Sequence, residues 1–583
     1  MALAHNGLWM CRRRPVAVLP LALLLVSGFP AAVEAAGVAP TPEPAPPATS
    51  AAPPELPSPD NASADCPLPS ESELEARGAT IGRVVVRVND IFNHDKPGEN
   101  GFFYRLVDQL HRNTRSTVVE ELLLFRSGDR YDPRVLAESE RLLRHQRIFY
   151  DASIRPTRYC GNQVDVEVAV RDVWTLFLNV SFGRAGGANK TRFELQDANL
   201  LGTGKDVALA RTSDFDRTSL LASYEDKALF GSRTQLQAAY SDNSDGSSQL
   251  FDLEHPFFGL DTRWALGLSA HSDDRITRLF TLGKSTDRFR QKQDGLEGFM
   301  GFSKGLKQGH ALRLMLGATY LEDRFSAEDP FSPPPRLPED RRLIYPWVGF
   351  EWLEDRFVKT HNLDKLVRTE DLYLGRRLTG RLGYSASALG ADRNRAIFAL
   401  HGQQGAEVGK SGVLLLAGDA SGRYGSDLED TVIETDIRYF RRDFGSQLLT
   451  ATASMAWGRS LDLDHQLLLG GDNGLRGYPL RFQHGDRRAL FSIEQRFFTN
   501  WDFLHLIHVG AAVFADIGRA WADEDPHANP GVNRVLKDVG FGLRLGSSRS
   551  ARGSLVHIDV AFPLDGNRSI DQLQFLVMTK ETF

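Results

Sequence analysis

The sequence predicts a mainly β chain: a transmembrane antiparallel β-barrel preceded by one small α/β domain. Three observations point there. The N-terminus reads as a secretory leader. No later segment holds eighteen consecutive apolar residues and the mean hydropathy is −0.30, so any membrane crossing must be made by strands. From Val173 onward, short segments alternate polar and apolar side chains at period two, again and again.

The leader comes first. Arg12-Arg-Arg14 is a basic n-region, Val16 to Phe29 an apolar h-region, and Val33-Glu-Ala35 a small-x-small cleavage site. Residues 1–35 are therefore expected to be removed. Residues 36–78 form a Pro/Ala-rich linker, because Ala39-Pro-Thr-Pro-Glu-Pro-Ala-Pro-Pro47 cannot sustain helix or central strand. A net charge of −6 leaves no nucleic-acid footprint. Of three cysteines, Cys11 lies in the leader, and Cys66 and Cys160 are left for one disulfide in an oxidising compartment.

Residues 79–173 read as the α/β domain. Val84-Val-Val-Arg-Val88 is a strand. Ser116 is the expected N-cap of a helix over 117–124. Asp132-Pro133 opens a second helix, with proline in the first turn and Val135, Leu136, Leu142 and Leu143 on one face. Segments 150–154 and 164–170 alternate as strands around Cys160-Gly-Asn162.

Residues 174–583 read as the barrel. At roughly 25 residues per strand and connection about sixteen strands fit, and fourteen or eighteen fit by the same arithmetic. Asn199-Leu-Leu-Gly-Thr-Gly-Lys205 is expected between the first two barrel strands, with Gly202 and Gly204 permitting positive φ. It is no phosphate loop, since Asp206 stands where Ser or Thr is needed.

The most specific stretch is Gly470-Gly-Asp-Asn-Gly-Leu-Arg-Gly-Tyr478. Two strand patterns follow it, one carrying Glu494 and the other Phe514-Ala-Asp-Ile-Gly518. Phe514, Asp516 and Gly518 share one face of their strand, and Glu494 shares a face with Ser492 and Arg496. A guanidinium on a loop folded into a lumen needs carboxylates, which its planar fork matches. The expectation is an Arg476–Asp516/Glu494 cluster, with Gly474 and Gly477 reversing the loop and Tyr478 beside it. Neighbouring Arg481 is expected to matter much less. The chain then ends on Phe583 within a strand pattern.

Taken in order, the loop, the Phe-x-Asp-x-Gly strand, the early Asn-Leu-x-Gly-Thr-Gly hairpin and the terminal aromatic resemble the BamA/TamA-type outer-membrane superfamily of protein insertases and translocators. The α/β segment, through Phe125-Arg-Ser-Gly-Asp129 and Val164-Asp-Val-Glu-Val168, looks like a single POTRA domain with an insertion over 92–115. The resemblance implies sixteen strands, an outer-membrane location with the N-terminal domain in the periplasm, and noncatalytic insertion or export of a protein or lipid client. Implied partners are outer-membrane lipid, an unfolded or secreted protein received by the POTRA domain, and periplasmic chaperones. No cofactor is implied. A passive channel is the competing reading, and an outer-membrane hydrolase a weaker one. His465, His484, His505 and His508 lie near Asp464 and Asp486 without a nucleophile-base-orienter spacing.

Overall fold

The computed structural model describes residues 67–580, apart from 93–94, 96–100, 330–335, 362, 364–368, 444, 504–506, 523–533, 548–554 and 566–569. The leader, most of the linker, Cys66 and Phe583 lie outside the described residues.

The N-terminal domain runs α1 (Glu71–Ala76), β1 (Thr80–Asn89), α2 (Phe102–Leu110), α3 (Ser116–Leu122), α4 (Pro133–His145), β2 (Phe149–Cys160) and β3 (Gln163–Asp172). Its sheet has the order β1-β3-β2, with β1 parallel and β2 antiparallel to β3. Val164, Val166, Val168 and Val170 alternate along the central strand and are buried beneath α3 and α4, against Val119, Leu136 and Leu143. Asp132 caps α4 by accepting from the amides of Arg134 and Val135, with Pro133 in the first turn. Ser116 does not cap α3. Arg115 holds that position without a side-chain bond, and its own amide donates to the Gly202 carbonyl of the barrel. A tertiary contact has taken the place of a local one. Cys160 is disulfide-bonded.

The rest of the chain closes into one barrel, in which each strand is paired antiparallel with its sequence neighbours and the last, Gln574–Lys580, meets the first, Leu176–Ala185. The barrel has 20 strands, not the sixteen expected. The reason is turn length. Strands meet through turns as tight as Ala185–Ala188, Asn243–Gly246 and Thr281–Lys284, so the 410 residues from 174 to 583 spend about 20 residues on each of 20 strands. Outward positions such as Leu178, Phe193, Leu268, Leu314, Val513 and Phe541 are exposed, whereas their strand neighbours are buried or half-buried and mostly polar or small. That is the pleat of a barrel with an apolar exterior and a polar lumen. Joints between neighbouring strands carry seven or more registered pairs, whereas among the described residues the closing joint carries one, Val577↔Arg184.

Candidate functional site: a latched lumen loop and a docked domain

Between strands Gln447–Arg459 and Arg487–Phe503 the chain leaves the wall opposite the N-terminal domain and turns inward. Its tip folds on itself. Asn473 Oδ1 accepts from the Gly470 amide, the Asn473 side chain donates to the Leu468 carbonyl, and the Leu475 amide donates to the Gly470 carbonyl. This throws Leu475, Arg476 and Tyr478 into burial. Gly474 has φ +126°, and a Cβ there would lie 2.2 Å from Leu490. Gly477 does not adopt positive φ. It is required by close approach, since a Cβ would lie 2.6 Å from that of Asp538.

Arg476 meets both acids. Its Nε donates to Asp516 at 2.7 Å and its Nη2 to the other Asp516 oxygen at 2.8 Å, a bidentate pair. Its Nη1 donates to Glu494 at 2.7 Å, and its Nη2 also reaches Ser492 at 3.2 Å. The guanidinium carbon sits 3.3 Å over the ring of Phe514. Gly518, two residues on, keeps this face open: a Cβ would lie 3.1 Å from Leu469 of the loop. Tyr478, fully buried, packs on Phe482, donates its hydroxyl to Asp565 and accepts from the Lys537 amide at 3.0 Å.

Sequence reasoning missed two members. Arg544 donates to Glu494 at 2.9 Å and pairs with Asp559, so Glu494 serves three guanidinium groups: Arg476, Arg496 and Arg544. A readable sign was the parity of Gly540-Phe-Gly-Leu-Arg544, in which Gly540 and Gly542 face inward and leave room. A Cβ on Gly542 would lie 2.0 Å from an Asp559 oxygen. Charge compensation on this scale suits side chains that water barely reaches.

The same loop is tied around the mouth. Arg341 donates to Asp462 at 2.7 Å and to Asp464 at 2.8 Å, Arg423 reaches Asp462, and His465 meets Asp430 at 2.7 Å. Arg481, expected to be of little consequence, forms a bidentate pair with Asp216 and lies 4.3 Å over the Phe280 ring. At φ +51° it bends the chain back towards the wall. Burial draws the His465 imidazole towards neutrality. The hydrogen bond to Asp430 and the charges of Asp430, Asp464 and Asp462 outweigh this and raise its pKa.

At the opposite rim the early hairpin motif lies between the second and third barrel strands, one joint later than expected. Asn199 accepts from the Gly204 amide at 2.7 Å and donates to Thr114 at 2.7 Å, and Thr114 in turn holds buried Asp172. Gly202 and Gly204 have φ of +73° and +72°. They also permit contact with the N-terminal domain: a Cβ on Gly202 would lie 2.3 Å from the Asn113 carbonyl oxygen. The motif recurs, which the sequence reading overlooked. Asn199-Leu-Leu-Gly202, Ala228-Leu-Phe-Gly231 and Pro256-Phe-Phe-Gly259 are three successive rim turns. Their glycines abut Asn113, Glu121 and Leu124, so the three turns follow the chain through α3. Beyond them a short hairpin, Phe357–His361 with Thr369–Tyr373, clasps α4. Asp371 pairs bidentately with Arg144 at 2.6 and 2.8 Å, and Lys359 reaches Glu140.

No protein-family model matches the chain, and no curated protein matches it. Among solved structures it is similar to BamA from Haemophilus ducreyi lacking POTRA domains 1–3, at 13% identity over 86% of this chain and 85% of that one, with a TM-score of 0.41. It is similar to CdiB from Acinetobacter baumannii at 12% identity over 86% of this chain and 74% of that one, TM-score 0.43. For CdiB from Escherichia coli the values are 13%, 86%, 76% and 0.45.

Proposed function

We propose that the protein is a noncatalytic outer-membrane assembly or translocation factor of the BamA/TamA type, with residues 79–173 as a periplasmic POTRA domain and 174–583 as the membrane barrel. The closing joint carries this reading. A wall whose every other joint is a long ladder, but whose first and last strands share one registered pair among the described residues, has a place at which to part. A client strand, or a lipid, would enter the bilayer there. The POTRA domain would receive a protein client by strand addition. The latched loop with Gly474, Arg476, Gly477 and Tyr478 would hold the barrel shut on its outer side and keep the wall in register while the joint works. A passive channel is the second reading. The loop that crosses the lumen to Asp516 and Glu494 speaks against it.

The test is to staple the joint. Arg184→Cys with Val577→Cys places thiols on facing strands at a separation a disulfide spans. Envelope assembly is followed by quantitative proteomics, with and without reductant. Loss of assembly that reductant restores is expected. Full assembly with the joint oxidised, or steady open conductance in planar bilayers, would overturn the reading.

A further inference from the structure

A POTRA-type sheet offers two edges for an added strand, β2 and β1. The β2 edge is closed by the protein's own side chains. Over 152–156, the even-numbered residues turn their backbone groups away from β3. The Ala152 amide donates to Asp151 at 2.9 Å, the Ala152 carbonyl accepts from Arg144 at 3.1 Å, and the Ile154 amide donates to Glu140 at 2.9 Å. The next donor in this series does not exist, because residue 156 is proline. The barrel reinforces the closure: Thr369 donates to Asp151 at 3.2 Å, and Lys359 and Asp371 hold Glu140 and Arg144.

The β1 edge differs. Its first turn is covered, with the Ile81 amide on the Asp129 carbonyl and the Gly128 amide on the Ile81 carbonyl. From Val84 to Asn89 the outer backbone groups meet no partner among the described residues. The side chains there define what would fit. Val84, Val86 and Val88 turn towards the core and are half-buried, while Val85 and Arg87 lie on the open face. Across that face runs a row of alternating charge: Arg155 to Glu167 at 2.9 Å, and Glu167 to Arg87 at 2.8 Å. The row ends on a cation at the open edge, so the next strand completes it with a carboxylate.

Resting on the assembly reading above, we propose that β1, over Val84–Asn89, is the docking edge, and that its partner is an extended polypeptide alternating apolar with acidic side chains. Apolar residues would extend the valine face, and an acid would stand beside Arg87.

The experiment places benzoyl-phenylalanine at Val85 or at Ser153 of β2 in the full chain in lipid vesicles. The probes are ten-residue peptides alternating valine with glutamate or valine with lysine. The valine–glutamate peptide should label position 85 at least tenfold more than position 153, and tenfold more than the valine–lysine peptide does. Arg87→Gln should abolish the charge preference with the domain still folded, since Glu167 keeps Arg155. Equal or stronger labelling at 153 would overturn the edge assignment while leaving strand addition standing. Labelling indifferent to charge would overturn the partner chemistry. Labelling at neither position overturns the inference entirely, and the stapled-joint experiment then reports separately on the assembly reading.

Discussion

Replacing Arg476 with alanine removes five contacts at once: two hydrogen bonds to Asp516, one each to Glu494 and Ser492, and the stack on Phe514. The two acids do not suffer equally. Glu494 keeps Arg496 and Arg544, so its charge stays compensated. Asp516 has no exposed side-chain surface and keeps Ser492 as a donor and the Asp538 carboxyl as a neighbour, but no cation. Breaking a buried pair from one side costs about 3–5 kcal/mol, and the redundancy at Glu494 places the expected loss near the lower end, about 3 kcal/mol. Arg476→Lys keeps the charge and loses the fork, so it should recover about half of this. The assay is unfolding in detergent, read by heat-modifiable migration and tryptophan fluorescence, beside labelling of a cysteine at 476 from the outer side. The control must be an exposed arginine such as Arg459, because Arg481 has its own carboxylate and aromatic partners. If Arg476→Ala unfolds with Arg459→Ala and the cysteine at 476 labels freely, the latch does not exist as described.

Other outcomes follow from the same geometry. Because the His465 pKa is raised in the fold, its ion pair with Asp430 is fully present below the ordinary histidine value of about 6.5, and is lost as pH rises through the higher folded value. Protease nicking of the loop should therefore increase from pH 6 to 9 in the wild type, and a His465→Gln variant should show no such trend. Gly202→Ala puts a Cβ 2.3 Å from the Asn113 carbonyl at a φ of +73°, and should raise hydrogen exchange over 113–122 while the barrel still migrates as folded. Unchanged exchange would refute the docking role. Non-reducing peptide mapping should join Cys160 to Cys66. The closed loop stabilises by up to about 4–5 kcal/mol in a chain-entropy account, and two alkylatable thiols would refute the pairing.

Much of the candidate site was legible because it depends on parity and charge, which are local. Phe514, Asp516 and Gly518 share a face in any strand, and a lumen arginine needs acids wherever it lies. Strand number was not legible, because it depends on how many residues each connection takes, and turns such as Ala185–Ala188 take far fewer than the longer outer loops assumed. Nor were strand lengths: Lys284–Lys307 runs 24 residues, well beyond a membrane crossing. Ser116 misled because a tertiary acceptor, the Gly202 carbonyl, took over the start of α3. The clasping hairpin was invisible because each of its strands is 5 residues long and reads as loop. The repeated rim turns were readable all along, but only as a spacing between motifs, and each alone passes for an ordinary turn.

The contacts at those rim turns also set the mechanics of the ring. A closed sheet is stiff along its strands and compliant around its circumference, where it changes shape by shearing one ladder against the next. From the turn at Gly202 through those at Gly231 and Gly259 to the hairpin ending at Tyr373, the rim is splinted by α3 and α4. A hoop splinted along one arc flexes where the arc ends. One end lies two strands from the joint between Leu176–Ala185 and Gln574–Lys580, the shortest ladder in the ring among the described residues. Any twist of the N-terminal domain therefore reaches the wall as a bending moment focused beside that joint. On the proposed assembly reading, the domain would act as a tiller as well as a receiver.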